Sequence, residues 1–205
     1  MPNSVTIVDY HAGNLTSVLL AVERLGHVAR ITSDPKEVGA ASRLVFPGVG
    51  AAGAAMATLR SLGLDDAVAR HAEAGRPLLG ICLGAQVILD YSAEDDTPCL
   101  GLICGRVERL QAPAAAKVPH MGWNEVEQVR DHPVWQGIPD TSQFYFVHSY
   151  VPVPESPAVT IGVTDYYGRL TSALAQRNIV ACQFHPERSG RIGLALLDNF
   201  LRWNP

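Results

Sequence analysis

The sequence predicts an α/β fold: a three-layer, doubly wound, mostly parallel sheet with an antiparallel extension or small side sheet, in a single domain over residues 1–205. Three observations carry this. Short apolar runs alternate with amphipathic helical runs through the first half, the pattern of repeated strand–helix units. The second half is dense in strand-like runs with few helical ones between them, the pattern of antiparallel pairing. A chain of 205 residues with 47% hydrophobic content can also bury one sizeable core.

Taken in order, Ser4 to Val8 reads as a strand that ends in the polar loop Asp9-Tyr10-His11-Ala12-Gly13-Asn14. Leu15 to Leu25 has helical periodicity, and Gly26 stops it. His27 to Thr32 and Arg43 to Phe46 are the next strands, the latter ending in Pro47-Gly48-Val49-Gly50. Helices are expected over about Ala51 to Arg60 and Leu64 to Ala74, followed by a strand at Pro77-Leu78-Leu79 and a helix from Ala85 to Leu89. Further strands are Ile103 to Leu110, Phe144 to Val151, Ala158 to Val163, Leu170 to Ala175 and Ile179 to Phe184. The last helix, Ile192 to Trp203, sets Leu194, Leu197 and Leu201 on one face. Ala112-Pro113-Ala114-Ala115-Ala116 is the expected exposed loop.

A net charge of −4 gives no electrostatic reason to expect nucleic acid or an anionic membrane as partner. No window approaches the roughly 20 apolar residues of a membrane helix, and the start reads as a strand rather than a signal peptide. Cys82, Cys99, Cys104 and Cys182 are irregularly spaced, with no Cys-x-x-Cys pair. No metal and no cofactor is expected, and the thiols should be reduced, as in a cytoplasmic protein.

Chemistry concentrates at Gly80-Ile81-Cys82-Leu83-Gly84. A nucleophile between two glycines at a strand-to-helix junction is a nucleophile elbow, where the turn forces the central side chain out of the sheet. With Cys82 at its centre, the expected step is thiolate attack on a carbonyl. Such a thiolate benefits from a base and from an acid that fixes the base's tautomer. Phe184-His185-Pro186-Glu187 offers both at the carboxyl end of a strand, the edge where open α/β sheets bind ligands. His185 is the candidate base and Glu187 its orienting carboxylate. His27, His71 and His132 read as exposed or structural. The Leu83 amide, at a helix start, is one candidate oxyanion donor. Val49 and Gly50, in the glycine-rich Pro47 loop, are others, although that loop alone is also what an ordinary strand–helix turn looks like.

Together Pro47-Gly48-Val49-Gly50, Gly80-Ile81-Cys82-Leu83-Gly84-x-Gln86 and His185-Pro186-Glu187 resemble the class I, triad-type glutamine amidotransferases in order and spacing over nearly the whole chain. Within them, Asp9-Tyr10-x-x-Gly13-Asn14-Leu15, Pro119-His120-Met121-Gly122-Trp123-Asn124 and His185-Pro186-Glu187-Arg188-Ser189-Gly190 resemble the glutaminase subunits of imidazole glycerol phosphate synthases. The resemblance implies that Cys82 attacks the carboxamide of L-glutamine, forms a glutamyl thioester and releases ammonia. It places Gly48, Gln86, His148, Ser149 and Tyr150 against the substrate. It implies a heterodimer with a (β/α)8 cyclase subunit of histidine biosynthesis, whose barrel would channel the ammonia. Asn14, His120, Met121, Trp123, Asn124 and Arg188 are then the expected partner interface.

The residues themselves support that surface: His, Met, Trp and Asn grouped in a loop form a patch that is either core or docking surface, and Trp and Met are favoured at interface centres. His11, Ala12, Ala85 and Cys104 depart from the family's usual pattern. Another class I amidotransferase lacks the Pro119 to Asn124 hexapeptide. A cysteine-elbow redox sensor or glyoxalase would lack His-Pro-Glu, and a non-catalytic binding module would have lost the triad.

Overall fold

The computed structural model describes residues 4–11, 13–111, 113 and 117–205. Of the Ala112 to Ala116 segment only Pro113 is included, so the loop expected there lies outside the described residues, as does Ala12.

The first half is built as strand–helix units. β1 (Ser4–Val8), α1 (Leu15–Arg24), β2 (Val28–Thr32), α2 (Pro35–Ala40), β3 (Leu44–Gly48), α3 (Ala52–Leu62), α4 (Leu64–Glu73), β4 (Leu78–Cys82) and the short α5 (Leu83–Val87) follow in order. Local chemistry sets the boundaries. Gly26 beyond α1 and Gly63 beyond α3 take φ of 80° and 66°, which glycine adopts without a Cβ penalty. Asp34 caps α2 by accepting the Lys36 amide at 2.8 Å, with Pro35 at the first helical position. That helix was not expected, because it shows a single buried apolar residue, Val38.

The second half adds β5 (Tyr91–Ser92), β6 (Thr97–Pro98), β7 (Gly105–Arg109), β8 (His120–Gln128), β9 (Ser142–His148), β10 (Tyr150–Pro154), β11 (Thr160–Asp165), β12 (Arg169–Gln176), β13 (Ile179–Cys182) and α6 (Gly190–Arg202). Among the described residues the main sheet has the order β2-β1-β3-β4-β13-β12-β11-β8-β9, and a second sheet runs β10-β7-β5-β6. Strands β2 to β13 of that order are parallel, and the rest continue antiparallel. The mostly parallel sheet, its antiparallel extension and the small side sheet are therefore all present.

Alternation along the central strands builds two cores. Val5, Ile7, Val45, Leu79, Ile81 and Val180 face α1 and α6, where Val18, Val22, Leu197 and Phe200 meet them. Val8, Leu44, Phe46, Leu78 and Ala181 face Val38, Met56, Leu59, Leu64 and Val68 of the opposite helical layer. The buried face of α6 is Gly193, Leu196, Leu197, Phe200 and Leu201; Leu194 packs at its margin.

Two expectations need correction. The Pro119 to Asn124 segment is not a loop: His120 onward is the nine-residue strand β8. Phe144 to Val151 is not one strand, because the chain breaks at Ser149 and passes from the main sheet into the side sheet. No helix among the described residues is long and apolar enough to cross a membrane.

Candidate active site

Parallel pairing delivers the chemistry to one sheet edge. Gly48 at the end of β3 is in register with Cys82 at the end of β4, and Cys182 at the end of β13 pairs with Ile81. The loops carrying Val49, Cys82 and His185 therefore emerge side by side.

Cys82 holds φ 54° and ψ −107°, a backbone conformation that costs a non-glycine residue of order 1–3 kcal/mol. Its flanking glycines make the turn possible. A side chain at Gly84 would overlap the Phe46 carbonyl, and one at Gly80 would crowd the Gly84 carbonyl. One at Gly48 would overlap the Tyr10 hydroxyl. Tyr10 is buried beneath this loop; burial first, and then the nearby Cys82 thiolate, push its phenol pKa up.

His185 is buried, its Nδ1 2.8 Å from Glu187 Oε1. That same oxygen accepts the Asn14 side-chain amide at 2.6 Å. Because a carboxylate only accepts, Nδ1 must carry the proton, which leaves Nε2 for Cys82. Burial alone would lower the pKa of His185. The Cys82 thiolate and then Glu187 outweigh it and raise the imidazole to about 10. The backbone clamps this turn as well, with the His185 amide donating to the Tyr145 carbonyl at 2.9 Å and the Ser189 hydroxyl to the His185 carbonyl at 2.6 Å.

Beside Cys82 lies a cleft of about 340 Å³ lined by Val49, Gly50, Leu83, Gln86, Glu94, Pro119 and the Val147 to Tyr150 segment. Gln86 is held from behind, its amide nitrogen donating to the Tyr150 carbonyl at 3.0 Å and to Gln183 Oε1 at 2.9 Å. Gln183 in turn donates to Cys82 Sγ at 3.6 Å. Gly48, the last residue of β3, is buried against the Tyr10 hydroxyl and the start of α5 at Leu83 and Gly84, and is not among the residues lining the cleft.

Outside the cleft, Met121 and Trp123 stand 62% and 55% exposed on β8. Trp123 packs edge-on to Tyr145, and the Arg188 guanidinium lies 4.7 Å over the same ring. Met121 and Trp123 thus share the outward face of β8, and Trp123 and Arg188 meet on the Tyr145 ring. His120 and Asn14 do not join them. His120 is 3% exposed and points under the sheet, because the even residues of β8 face inward. Asn14 spends its amide on Glu187, and Asn124 bonds to His120 and to the Asp165 carbonyl.

Sequence reasoning missed the orienting contact of Asn14, the Gln183 bridge, Tyr10, and Glu94, the carboxylate lining the cleft. None of these contacts has a local sequence signal; Asn14 stands at φ 75° as the cap of α1, which turns its side chain free of the helix. Among the described residues no cluster of His, Cys, Asp and Glu could hold a metal ion.

A cysteine on a strained elbow, with an oriented imidazole and backbone amides around a cleft, is machinery for acyl transfer from an amide. Residues 6–203 match the model of the class-I glutamine amidotransferases, and the chain belongs to that family. Within it, the chain is 52% identical over 206 residues to the imidazole glycerol phosphate synthase subunit HisH of Nitrosococcus oceani, covering 98% of each chain. It is 47% identical over 212 residues to the subunit of the same name from Aromatoleum aromaticum, covering 99% of this chain and all of the relative. Among solved structures, PurLQS from Thermotoga maritima superposes with a TM-score of 0.78 at 16% identity, covering 98% of each chain, and shares the fold. A glutamine amidotransferase crystal structure gives 0.74 at 22% identity, covering 96% of each.

Proposed function

We propose that this chain, acting as one domain over residues 1–205, is the glutaminase subunit of an imidazole glycerol phosphate synthase. It hydrolyses L-glutamine and supplies ammonia to a separate (β/α)8 cyclase subunit in the cytoplasm. The observation that carries this reading is the Cys82–His185–Glu187 arrangement at the cleft, in a chain so similar to HisH subunits.

The Cys82 thiolate attacks the carboxamide carbon. Amides of Leu83, Val49 and Gly50 take the charge that develops on oxygen. The carbon–nitrogen bond breaks as His185 Nε2 gives its proton to the leaving nitrogen, and ammonia departs. Water then attacks the thioester carbon, loses a proton to Nε2 and expels the thiolate, leaving glutamate. Glu187, steadied by Asn14, keeps Nδ1–H in place throughout. Glu94 suits the ammonium of glutamine, and Ser149 and Tyr150 offer backbone groups along the cleft wall. Met121, Trp123 and Arg188 form the docking patch beside the cleft mouth, so ammonia would leave straight into the partner.

Glutamate release by the chain should rise strongly when the cyclase and its nucleotide ligand are added. Cys82→Ala should abolish release while the complex still uses added ammonia. Glutamate release that persists in this variant, or that is equally fast without the partner, would sink the assignment.

A further inference from the structure

Behind the cleft runs a chain of side-chain hydrogen bonds that the reaction scheme does not use. It starts at the Tyr150 carbonyl, which accepts from both Gln86 and His148 Nδ1, at 3.0 and 2.9 Å. His148 Nε2 lies 2.9 Å from His120 Nδ1, and His120 Nε2 lies 3.3 Å from the Asn124 amide nitrogen. That nitrogen also donates to the Asp165 carbonyl at 3.0 Å, while Asn124 Oδ1 accepts the Glu125 amide.

Every proton in this chain is fixed by its ends. The Tyr150 carbonyl can only accept, so His148 carries its proton on Nδ1 and presents a bare Nε2. His120 must then donate from Nδ1, and its own Nε2 accepts from Asn124. Burial, as the first cause, lowers both imidazoles, to about 4 and about 3, so both are neutral donors and acceptors at neutral pH. Packing permits little else. The His120 ring is stacked between Tyr166 and Phe146, with centroids at 3.9 and 4.6 Å and planes within 23° of parallel on each side. At one end the chain is anchored on β8, whose other face carries Met121 and Trp123. It ends on the two groups that shape the cleft, the Tyr150 backbone and Gln86, and Gln86 continues through Gln183 to Cys82.

We propose that His120 is a positioning residue: through His148 it holds the Tyr150 carbonyl and Gln86 where glutamine meets them, and so ties the docking strand to the substrate cleft. This rests on the glutaminase reading above. Removing the His120 donor leaves His148 Nε2 a buried acceptor without a partner, and the imidazole is then free to turn its Nδ1–H away from Tyr150. The reacting atoms are untouched, so the loss falls on substrate binding rather than on chemistry.

The test uses the full chain with its cyclase partner. His120→Leu should raise the KM for glutamine about tenfold with kcat within about twofold. His120→Asn, whose amide can still donate to His148, should recover most of that loss although it fills the site no better. Equal KM values for Leu and Asn variants, or a loss confined to kcat, would overturn the proposal. Nitrogen-15 spectra of the unaltered chain give an answer even if His120→Leu does not fold. They should show His148 as the Nδ1–H tautomer, and a Nε2–H tautomer would refute the network. Those spectra need no activity, so they separate a failure here from a failure of the glutaminase reading.

Discussion

At Cys82 a strained backbone holds the nucleophile, itself buried, at the elbow beside an imidazole whose proton is strongly held. The raised pKa of His185 depends on Cys82 before it depends on Glu187. Cys82→Ala should therefore drop the His185 pKa from about 10 toward or below the ordinary 6.5, which a histidine NMR titration would read. The contribution of His185 to folding is present below its unfolded value of 6.5 and is lost as pH rises through about 10, the sign expected for a base whose pKa is raised by folding. Asn14 supplies the other end of the dyad. Asn14→Ala leaves a buried Glu187 oxygen with one donor fewer, and kcat should fall about tenfold with little change in KM. A rise in KM at constant kcat would instead place Asn14 in the substrate site. Cys82, His185 and Glu187 were legible because short glycine and proline signatures mark them. Asn14 was not, since its contact spans 173 positions of sequence and no periodicity announces it.

In the proposed assembly with a cyclase the element to test is β8. Its alternation is inverted relative to an ordinary surface strand: His120, Gly122 and Asn124 turn inward while Met121 and Trp123 turn out. A pattern search for apolar residues at every second position therefore reads the wrong face as core, which is why the segment looked like a loop. The cost of exposing a tryptophan and a methionine side by side is offset only when something covers them. Trp123→Ala should weaken cyclase binding by about 2 kcal/mol or more, close to thirtyfold in Kd, while the melting temperature of the isolated chain barely moves. A large fall in melting temperature with unchanged binding would return Trp123 to the core. By contrast, the strands and helices of the first half, α2 apart, were legible as elements although their ends shifted by a few residues, because βα units repeat one simple apolar rhythm. The side sheet was harder, as two of its strands are only two residues long.

For the molecule as a whole, buried neutral histidines set the acid limit. His71, His120 and His148 are 0%, 3% and 6% exposed, and burial lowers their pKa values to about 4, 4 and 3. In the unfolded chain the same groups titrate near 6.5. Below pH 6.5 the unfolded state binds protons that the folded state refuses, so stability should fall progressively down to about pH 3. The urea midpoint should be clearly lower at pH 5 than at pH 7, and a flat profile would show that these imidazoles are not held neutral. The turn that carries His185 has one more consequence. It is laid along β9, the last strand of the sheet, where the Tyr145 carbonyl accepts from His185 and the Tyr145 amide donates to the Ser189 hydroxyl. The catalytic turn is therefore also the guard of a free sheet edge. Loosening it, as in Ser189→Ala, would bare backbone groups able to recruit a strand from another copy, so that precipitation would accompany lost turnover.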